Sequence, residues 1–250
     1  MLDSSSNSRD GPVHFTKIMS KKISFHEPFV QIAGVIDWLE AEMLLAAGCT
    51  CLGFPLRLPV NQTDHSEEEA RDIICRLPAA VVSVLICYEQ QATEIARFAD
   101  YLGVAAVQLH GDIELAELAA LRRCRPDLAV IKSLIVRADA EIQGFVTRMH
   151  TQSPYVDAFI LDSYNSVTGA TGATGLVHDW SVSRALVRQS PRPVIMAGGL
   201  TPANVEQAIT TIRPAGVDAH TGVEGTDGRK DPALVRGFLL SVQAGFQAIR

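Results

Sequence analysis

The sequence predicts a single-domain α/β protein, a (β/α)₈ TIM barrel, and three observations support this prediction. From Phe29 onward, short β-branched runs alternate with longer stretches of helical periodicity, the pattern of βα units in a parallel sheet. Eight such runs can be counted, which is the number that a closed α/β barrel needs. The chain has 250 residues, which is the usual size of one such barrel, so no second domain is required.

The predicted strands are almost continuously apolar, as expected for strands that are buried on both faces. In order they are Val30–Val35, Thr50–Phe54, Val81–Cys87, Ala106–His110, Ala129–Leu134, Ala158–Asp162, Pro193–Met196 and Gly216–His220. Helices are predicted between them, for example at Trp38–Ala47, Ser66–Arg76, Gln91–Leu102 and Pro202–Ile212. An open doubly wound sheet is the alternative fold, but it would usually carry a GxGxxG turn after its first strand, and AGVIDW lacks that turn.

Two local features mark where the folded domain and one of its helices begin. Residues 1–24 are polar and aperiodic, so we expect a disordered or extended N-terminal tail, followed by the barrel over residues 25–250. Ser66 followed by Glu69 is a capping-box pattern, which predicts a helix start at that point.

The composition narrows the range of partners. The formal net charge is -6 and no run of Lys and Arg occurs, which argues against nucleic acid or an anionic membrane as the main partner. No stretch is apolar enough to span a membrane, and the five cysteines show no metal-binding spacing. We therefore expect a cytoplasmic protein, a monomer or homodimer, whose partner is a small molecule and which needs no metal or organic cofactor.

Polar and glycine-rich segments follow several predicted strands at their C-terminal ends, where barrels of this class carry their chemistry. Gly198 and Gly199 follow the seventh strand, and Gly222 and Val223 follow the eighth. Glycine turns let backbone N–H groups approach an anion, so we predict a phosphate site formed by these four residues. The alternative is that the glycines only form tight turns before the next helix.

A carboxylate ends the sixth predicted strand. Asp162 closes the apolar run FILD, and a carboxyl group leaving a dry interior suits a general acid near neutral pH. Its alternative role is a helix N-cap. The segment from Ser163 to Gly175 is long, polar and glycine-rich, as active-site lids often are, and the alternative is an ordinary loop.

An ordered series of short motifs extends across the whole predicted barrel. They are LGF at Leu52–Phe54, VQLHGD at Val107–Asp112, VIK at Val130–Lys132, LDS at Leu161–Ser163, GATG and DW within Gly172–Trp180, AGGL with Asn204, GVD at Gly216–Asp218 and GVE at Gly222–Glu224. In these motifs the chain resembles the phosphoribosylanthranilate isomerase family of tryptophan biosynthesis. The resemblance implies a barrel enzyme that carries out an Amadori rearrangement, in which an acid opens a furanose ring and a base removes the C2 proton. It implies Asp162 as the acid and His110, Asp218 and Gly175 as substrate-binding residues.

The chain departs from the family pattern at two places. The family's base is a Cys in a KxCG-type motif that ends the first strand, but here the motif is Gln31-Ile32-Ala33-Gly34, and Ala33 cannot accept a proton. The family's Arg after the second strand, which helps hold the anthranilate carboxylate, is absent from the comparable run over residues 61–66, and Asp64 would repel a carboxylate. Recognition of anthranilate and removal of the proton are therefore both in question.

A substitute base would have to come from elsewhere in the barrel mouth. His220 stands where the family usually has a small Ser, so we predict it as a second catalytic residue beside Asp162. A structural hydrogen bond is the alternative role of His220. Cys87, His110 and Asp112 also lie near predicted strand ends and are further candidates.

The sequence thus supports a divergent isomerase that acts on a phosphoribosyl amine or a related sugar-phosphate conjugate and is not efficient with anthranilate. Two alternatives remain open. One is a catalytically silent barrel that binds a phosphorylated ligand, which the loss of the base at Ala33 favours. The other is a lyase or hydrolase that uses the same ring-opening acid without removing a C2 proton.

Overall fold

The computed structural model describes residues 23–25, 27–58, 65–136, 141–163 and 180–250. Within them, eight parallel strands form a closed barrel in which each strand pairs with the next and the last pairs with the first. The (β/α)₈ barrel prediction is confirmed. The open-sheet alternative is wrong, because the first strand has a hydrogen-bonded neighbour on both sides.

The strands and helices alternate along the chain as predicted. The strands are β1 Phe29–Ala33, β2 Cys51–Pro55, β3 Val82–Cys87, β4 Ala106–Leu109, β5 Ala129–Val136, β6 Ala158–Ser163, β7 Val194–Met196 and β8 Gly216–Ala219. The α-helices are α1 Trp38–Ala46, α2 Glu67–Arg76, α3 Ala92–Leu102, α4 Leu115–Cys124, α5 Ile142–Gln152, α6 Trp180–Gln189, α7 Val205–Ile212 and α8 Pro232–Ala248. A single turn of 3₁₀ helix, Thr221–Val223, lies between β8 and α8.

Side chains at the helix starts explain where two of these helices begin. Ser66 accepts a hydrogen bond from the backbone of Glu69, and the Glu69 carboxylate accepts one from the backbone of Ser66, so the predicted capping box is confirmed. Helix α7 begins at Val205 rather than at Pro202, because the Asn204 side chain accepts from the Thr201 amide and holds the preceding residues in a turn.

The core has two layers, one inside the barrel and one between the strands and the surrounding helices. Phe29, Ala33 and Ile131 belong to the inner layer, whereas their chain neighbours Ile32 and Val130 pack in the outer layer. Strand residues therefore alternate between two buried faces, which is why the sequence shows apolar runs without alternation of polar and apolar residues.

The inner layer continues to the residues that precede β1. Ile23 and Phe25 pack against it, and the ring of Phe25 lies 5.7 Å from that of Phe29. Residues 1–22 of the predicted tail lie outside the described residues, so the tail and its boundary stay a prediction. Among the helices described, none combines the length and apolar character needed to span a lipid bilayer.

Candidate active site

A layer of polar side chains crosses the interior of the barrel below its C-terminal end. The Gln31 amide on β1 donates to Gln108 Oε1 on β4 at 3.0 Å and to Asp218 Oδ1 on β8 at 2.9 Å. All three residues are buried. Buried polar groups need hydrogen-bond partners, and these three side chains supply them to one another. The layer is therefore one connected hydrogen-bond network.

Two carboxyl groups lie at the same level of the barrel. Strand pairing places Leu161, Met196 and Val217 side by side, so the next residues, Asp162 and Asp218, flank the small Ala197. Burial and, to a smaller extent, the negative charge of Asp162 together raise the pKa of Asp218 to about 7, while the hydrogen bond from Gln31 opposes the shift. One carboxyl of this pair can therefore hold a proton near neutral pH.

Asp162 itself is only 5% exposed and is the last residue but one of β6. A protonated carboxyl at that depth can donate to an oxygen atom of a bound molecule, since little water competes for it. The helix N-cap role considered above concerns the residues that follow Ser163, which lie outside the described residues.

His220 follows β8 and lies against the end of β1. Ile32 pairs with Ala219, so one residue further along the same register His220 stands beside Ala33. A Cβ atom added to Gly34 would lie 2.1 Å from His220 Nε2, which shows that the imidazole covers this glycine. The predicted substitute base is thus next to the position where the family's base is missing.

A buried ion pair accompanies this histidine. Glu224 Oε1 lies 3.3 Å from His220 Nε2 and 2.7 Å from Lys230 Nζ. The Lys230 side chain has no solvent exposure, whereas the imidazole of His220 is 29% exposed. Lys230 was not predicted from the sequence, where its role is indicated only by a basic residue in the glycine-rich loop that follows β8.

The two glycine turns predicted to bind phosphate touch each other. Gly198 and Gly199 have φ angles of 82° and 65°, a conformation that glycine adopts without strain. The Asn204 side chain donates to Gly199 O at 2.9 Å and so holds this turn. A Cβ atom on Gly222 would lie only 1.8 Å from Leu200 O, so the turn after β8 packs directly on the turn after β7.

The amides of these turns differ in their hydrogen bonding. The N–H groups of Gly198 and Gly199 donate to no backbone carbonyl of a described residue. The N–H of Val223 donates to His220 O at 3.4 Å, at the long end of the hydrogen-bond range. The N–H groups of Gly198 and Gly199 are therefore candidate donors to an anion.

The opposite side of the mouth is formed by the ends of β2, β3 and β4. Arg57 follows β2, and its guanidinium pairs with Glu67 at 2.7 Å and Glu89 at 3.3 Å while it lies 3.8 Å from the ring centre of Phe98. These pairs raise the pKa of Arg57, so it is a permanent but already partnered cation. The sequence analysis did not single it out.

His110 follows β4 and packs beside an aromatic residue. Its ring lies 5.0 Å from that of Tyr88, and its side chain is buried. Asp112 is 98% exposed, which leaves it at the outer rim. Cys87 does not face the mouth at all: it packs in the outer layer, and burial raises the pKa of its thiol to about 11. Cys87 as a substitute base is therefore wrong.

The structure brings most of the predicted site residues to one end of the barrel. Asp162, Asp218, His220 and the two glycine turns are contributed by β6, β7 and β8, which are neighbours. Gly175, the predicted lid over residues 163–175 and residues 61–64 after β2 lie outside the described residues, apart from the backbone of Ser163.

Comparisons with known proteins identify the family of this barrel. Residues 43–241 match the family model of N-(5'-phosphoribosyl)anthranilate isomerase. N-(5'-phosphoribosyl)anthranilate isomerase 2 of Methanosarcina mazei is 34% identical over 222 residues, which cover 88% of this chain and 96% of that protein. The phosphoribosylanthranilate isomerase structure from Thermotoga maritima superimposes with a TM-score of 0.73 at 26% identity, over 86% of this chain and 98% of that one.

A further structure of such an isomerase was solved in complex with reduced 1-(o-carboxyphenylamino)-1-deoxyribulose 5-phosphate. It matches with a TM-score of 0.71 at 25% identity, over 86% of this chain and 98% of that one. The matches in sequence and in structure span nearly the full barrel, including the strand ends that carry the site. The chain belongs to the phosphoribosylanthranilate isomerase family.

Proposed function

We propose that this protein isomerises an N-(5-phosphoribosyl) arylamine to the corresponding 1-arylamino-1-deoxyribulose 5-phosphate. The observation that carries the proposal is the direct contact between the two glycine turns, through Gly222 and Leu200, at the end of the barrel where Asp162 emerges. An anion site and a buried proton donor on neighbouring strands suit a substrate that carries a phosphate at one end and a ring oxygen further along.

The phosphate is assigned to the turns after β7 and β8. Their backbone N–H groups, chiefly those of Gly198 and Gly199, donate to the phosphate oxygens, and the N-terminus of α7 adds a favourable dipole. Because the donors belong to the backbone, this site needs no cationic side chain. It holds the sugar so that the rest of the substrate extends across the mouth toward β1 and β2.

Asp162 is assigned as the general acid. It protonates the furanose ring oxygen, and the ring opens to give a protonated Schiff base between C1 and the arylamine nitrogen. Asp218, beside it, keeps a second carboxyl in the same dry region, and two neighbouring carboxyl groups do not ionise independently. The pair therefore favours one retained proton near neutral pH.

We propose that the carboxylate of anthranilate contributes only weakly to substrate binding by this protein. Arg57 is already paired with Glu67 and Glu89, so it cannot offer its full charge to a substrate carboxylate. Ordinary members of the family, such as the Methanosarcina mazei relative, are named for phosphoribosylanthranilate. That compound is accordingly the first substrate to test.

The test compares two substrates that differ only in the carboxylate, phosphoribosylanthranilate and phosphoribosylaniline. We expect turnover of both, with kcat/KM values within about tenfold of each other, which corresponds to less than about 1.4 kcal/mol from the carboxylate. A preference for anthranilate of more than about a hundredfold would overturn the statement about the aglycone. Absence of turnover with both compounds would overturn the isomerase itself.

The methyl side chain of Ala33 favours a second candidate function, a barrel that binds phosphosugars without turnover. Such a protein would show a ligand-induced rise in melting temperature with the same two compounds but no product. Release of free arylamine and ribose 5-phosphate would instead indicate a hydrolase that uses Asp162 alone. Product analysis by mass spectrometry separates all three activities in one experiment.

A further inference from the structure

We propose that His220 is the general base of this isomerase, in place of the cysteine that Ala33 replaces, and that Glu224 and Lys230 position it. The family's base lies at the end of β1, whereas the base proposed here directly follows the adjacent strand β8. This inference rests on the proposed isomerase function, and it goes beyond that function because it assigns the second proton-transfer group and its partners.

The first argument is the position of the imidazole. Ala33 and His220 occupy neighbouring register positions across the seam between β1 and β8. The imidazole lies over Gly34, where a Cβ atom would come within 2.1 Å of Nε2 and 2.5 Å of Cδ2. Gly34 also has a φ angle of 77°, which disfavours any other residue. The ring thus lies over the residue next to Ala33, the position of the family's base.

A second observation is the charge next to the imidazole. Glu224 Oε1 lies 3.3 Å from His220 Nε2. When the imidazole accepts a proton, this nearby carboxylate stabilises the imidazolium.

The third argument is that Glu224 is itself fixed. Lys230 donates to Glu224 Oε1 at 2.7 Å with a side chain that has no solvent exposure. The backbone N–H of Lys230 donates to Glu40 Oε1 at 2.7 Å, and the other oxygen of Glu40 accepts from Ile36 N at 2.8 Å. The neighbouring Arg229 pairs with Asp37 at 2.7 Å. The loop that carries Lys230 is therefore tied to the start of α1, directly after β1.

The charged groups around His220 act in both directions. Glu224 favours the imidazolium form, whereas the positive charge of Lys230, which contacts the same carboxylate oxygen, partly offsets this effect. Asp218 lies two residues earlier on β8, with Asp162 beside it from β6, and Glu40 approaches the Lys230 backbone from α1. Removal of the Glu224 charge leaves the charge of Lys230 uncompensated, so the imidazolium form of His220 becomes less stable.

The proton transfer itself balances. In the ring-opened Schiff base, the imidazole of His220 forms a bond to the proton on C2 as the C2–H bond breaks. The electron pair of that bond forms the C1–C2 double bond, and the π electrons of the C=N bond return to nitrogen, which gives a neutral enolamine. Later tautomerisation adds a proton to C1 and releases the proton of the C2 hydroxyl, so the overall isomerisation neither consumes nor releases a proton.

The principal experiment removes the imidazole of His220 and then introduces a cysteine at the family's position by Ala33→Cys. We expect His220→Asn to lower kcat/KM by about 10²–10⁴-fold with little change in KM, as for loss of a general base. Adding Ala33→Cys to that variant should recover at least about tenfold, because the thiolate then stands where the imidazole acted. His150→Asn, at an exposed position on α5, is the matched control and should match the wild type.

A second measurement tests the role of Glu224 and does not depend on the His220 variant folding. The neutral imidazole is the active form, so kcat/KM rises with pH through the pKa of His220. Glu224→Gln should shift this acid limb to lower pH and should lower the His220 pKa in an NMR titration, whereas Glu68→Gln, at an exposed position on α2, should leave both unchanged.

The outcomes separate this inference from the proposed function. If Asp162→Asn abolishes turnover while His220→Asn keeps wild-type kcat/KM, the isomerase stands and His220 as the base is wrong. If Glu224→Gln leaves the acid limb and the NMR pKa in place, the positioning role is wrong. A wild-type protein that turns over neither substrate overturns both the function and its base.

Discussion

The two sides of the barrel mouth are formed from different parts of the chain. On the β7–β8 side, the candidate phosphate site is made of backbone, with Gly198 and Gly199 in left-handed conformations and Gly222 packed on the Leu200 carbonyl. On the β1–β2 side, the site depends on side chains, and there a methyl group at Ala33 stands where the family has a thiol. The first side keeps the family's motif, whereas the second departs from it.

This difference shows how a site can change one task and keep another. A backbone site is fixed by the turn geometry and tolerates only glycine at the close contacts, so most substitutions there damage it. A side-chain function depends on one group that can be lost, or supplied from an adjacent strand that points into the same space. We expect substitutions on the two sides to have different effects on kcat and KM.

The largest effect is expected from Asp162→Asn, which removes the proposed proton donor and keeps the shape of the side chain. Loss of a general acid lowers kcat by about 10²–10⁴-fold, with KM changed little because the phosphate site is untouched. Steady-state kinetics with phosphoribosylanthranilate measures both. Asp72→Asn, at an exposed position on α2, is the control. Retention of more than a tenth of wild-type kcat would contradict the role of Asp162.

A smaller effect, mainly on KM, is expected from Gly222→Ala. Its new Cβ would lie 1.8 Å from Leu200 O, so the two turns must move apart and their N–H groups lose alignment. We expect KM to rise by roughly 10-fold or more and stability to fall by about 1–3 kcal/mol. Gly144→Ala is the matched control: it lies in α5 with open space around it, and we expect it to stabilise the protein by roughly 0.5–1 kcal/mol. An unchanged KM in Gly222→Ala would argue that phosphate binds elsewhere.

The smallest effect on turnover, but a distinct effect on stability, is expected from Asp218→Asn. The pKa of Asp218 is raised in the folded protein from 3.8 to about 7, so between these values the native state binds more protons than the unfolded state. The free energy of unfolding therefore falls as pH rises through this window. Between about pH 4.5 and 8, the free energy of unfolding of Asp218→Asn should fall by on the order of 3 kcal/mol less than that of the wild type.

Urea denaturation at the two pH values measures this difference. Asp227→Asn, in the loop before α8 and at an exposed position, is the control and should follow the wild type. If Asp218→Asn and the wild type show parallel pH dependence, the carboxyl of Asp218 is ionised in the folded protein as readily as in the unfolded chain.

The barrel could be predicted from the sequence because every strand is a separate apolar run bounded by polar turns. The bounds of individual strands and helices are predicted less accurately. The stretch from Pro202 to Asn204 has helical periodicity, yet Asn204 bonds to Thr201 and delays the start of α7. In a strand that is buried on both faces, periodicity does not reveal direction, which is why Cys87 was a candidate for the mouth although it packs outward.

The site could be predicted in part, because strand ends of a barrel converge and polar residues there stand out. The contacts between those residues could not. Gln31 meets Asp218 across a separation of 187 positions, and its only signal was an amide within the apolar strand FVQIA. The pairing of Glu224 with Lys230 depends on the path of the loop between them, which no local pattern specifies.

The pairing of β1 with β8 also bears on how this protein is made. During synthesis one edge of β1 stays unpaired until nearly the whole polypeptide has emerged, because its second neighbour, β8, is the last strand to be translated. That strand brings Asp218, His220 and the second glycine turn with it. The barrel therefore closes at the same step at which the candidate catalytic groups come together. A nascent chain that stops before β8 exposes unpaired strand edges and has no activity.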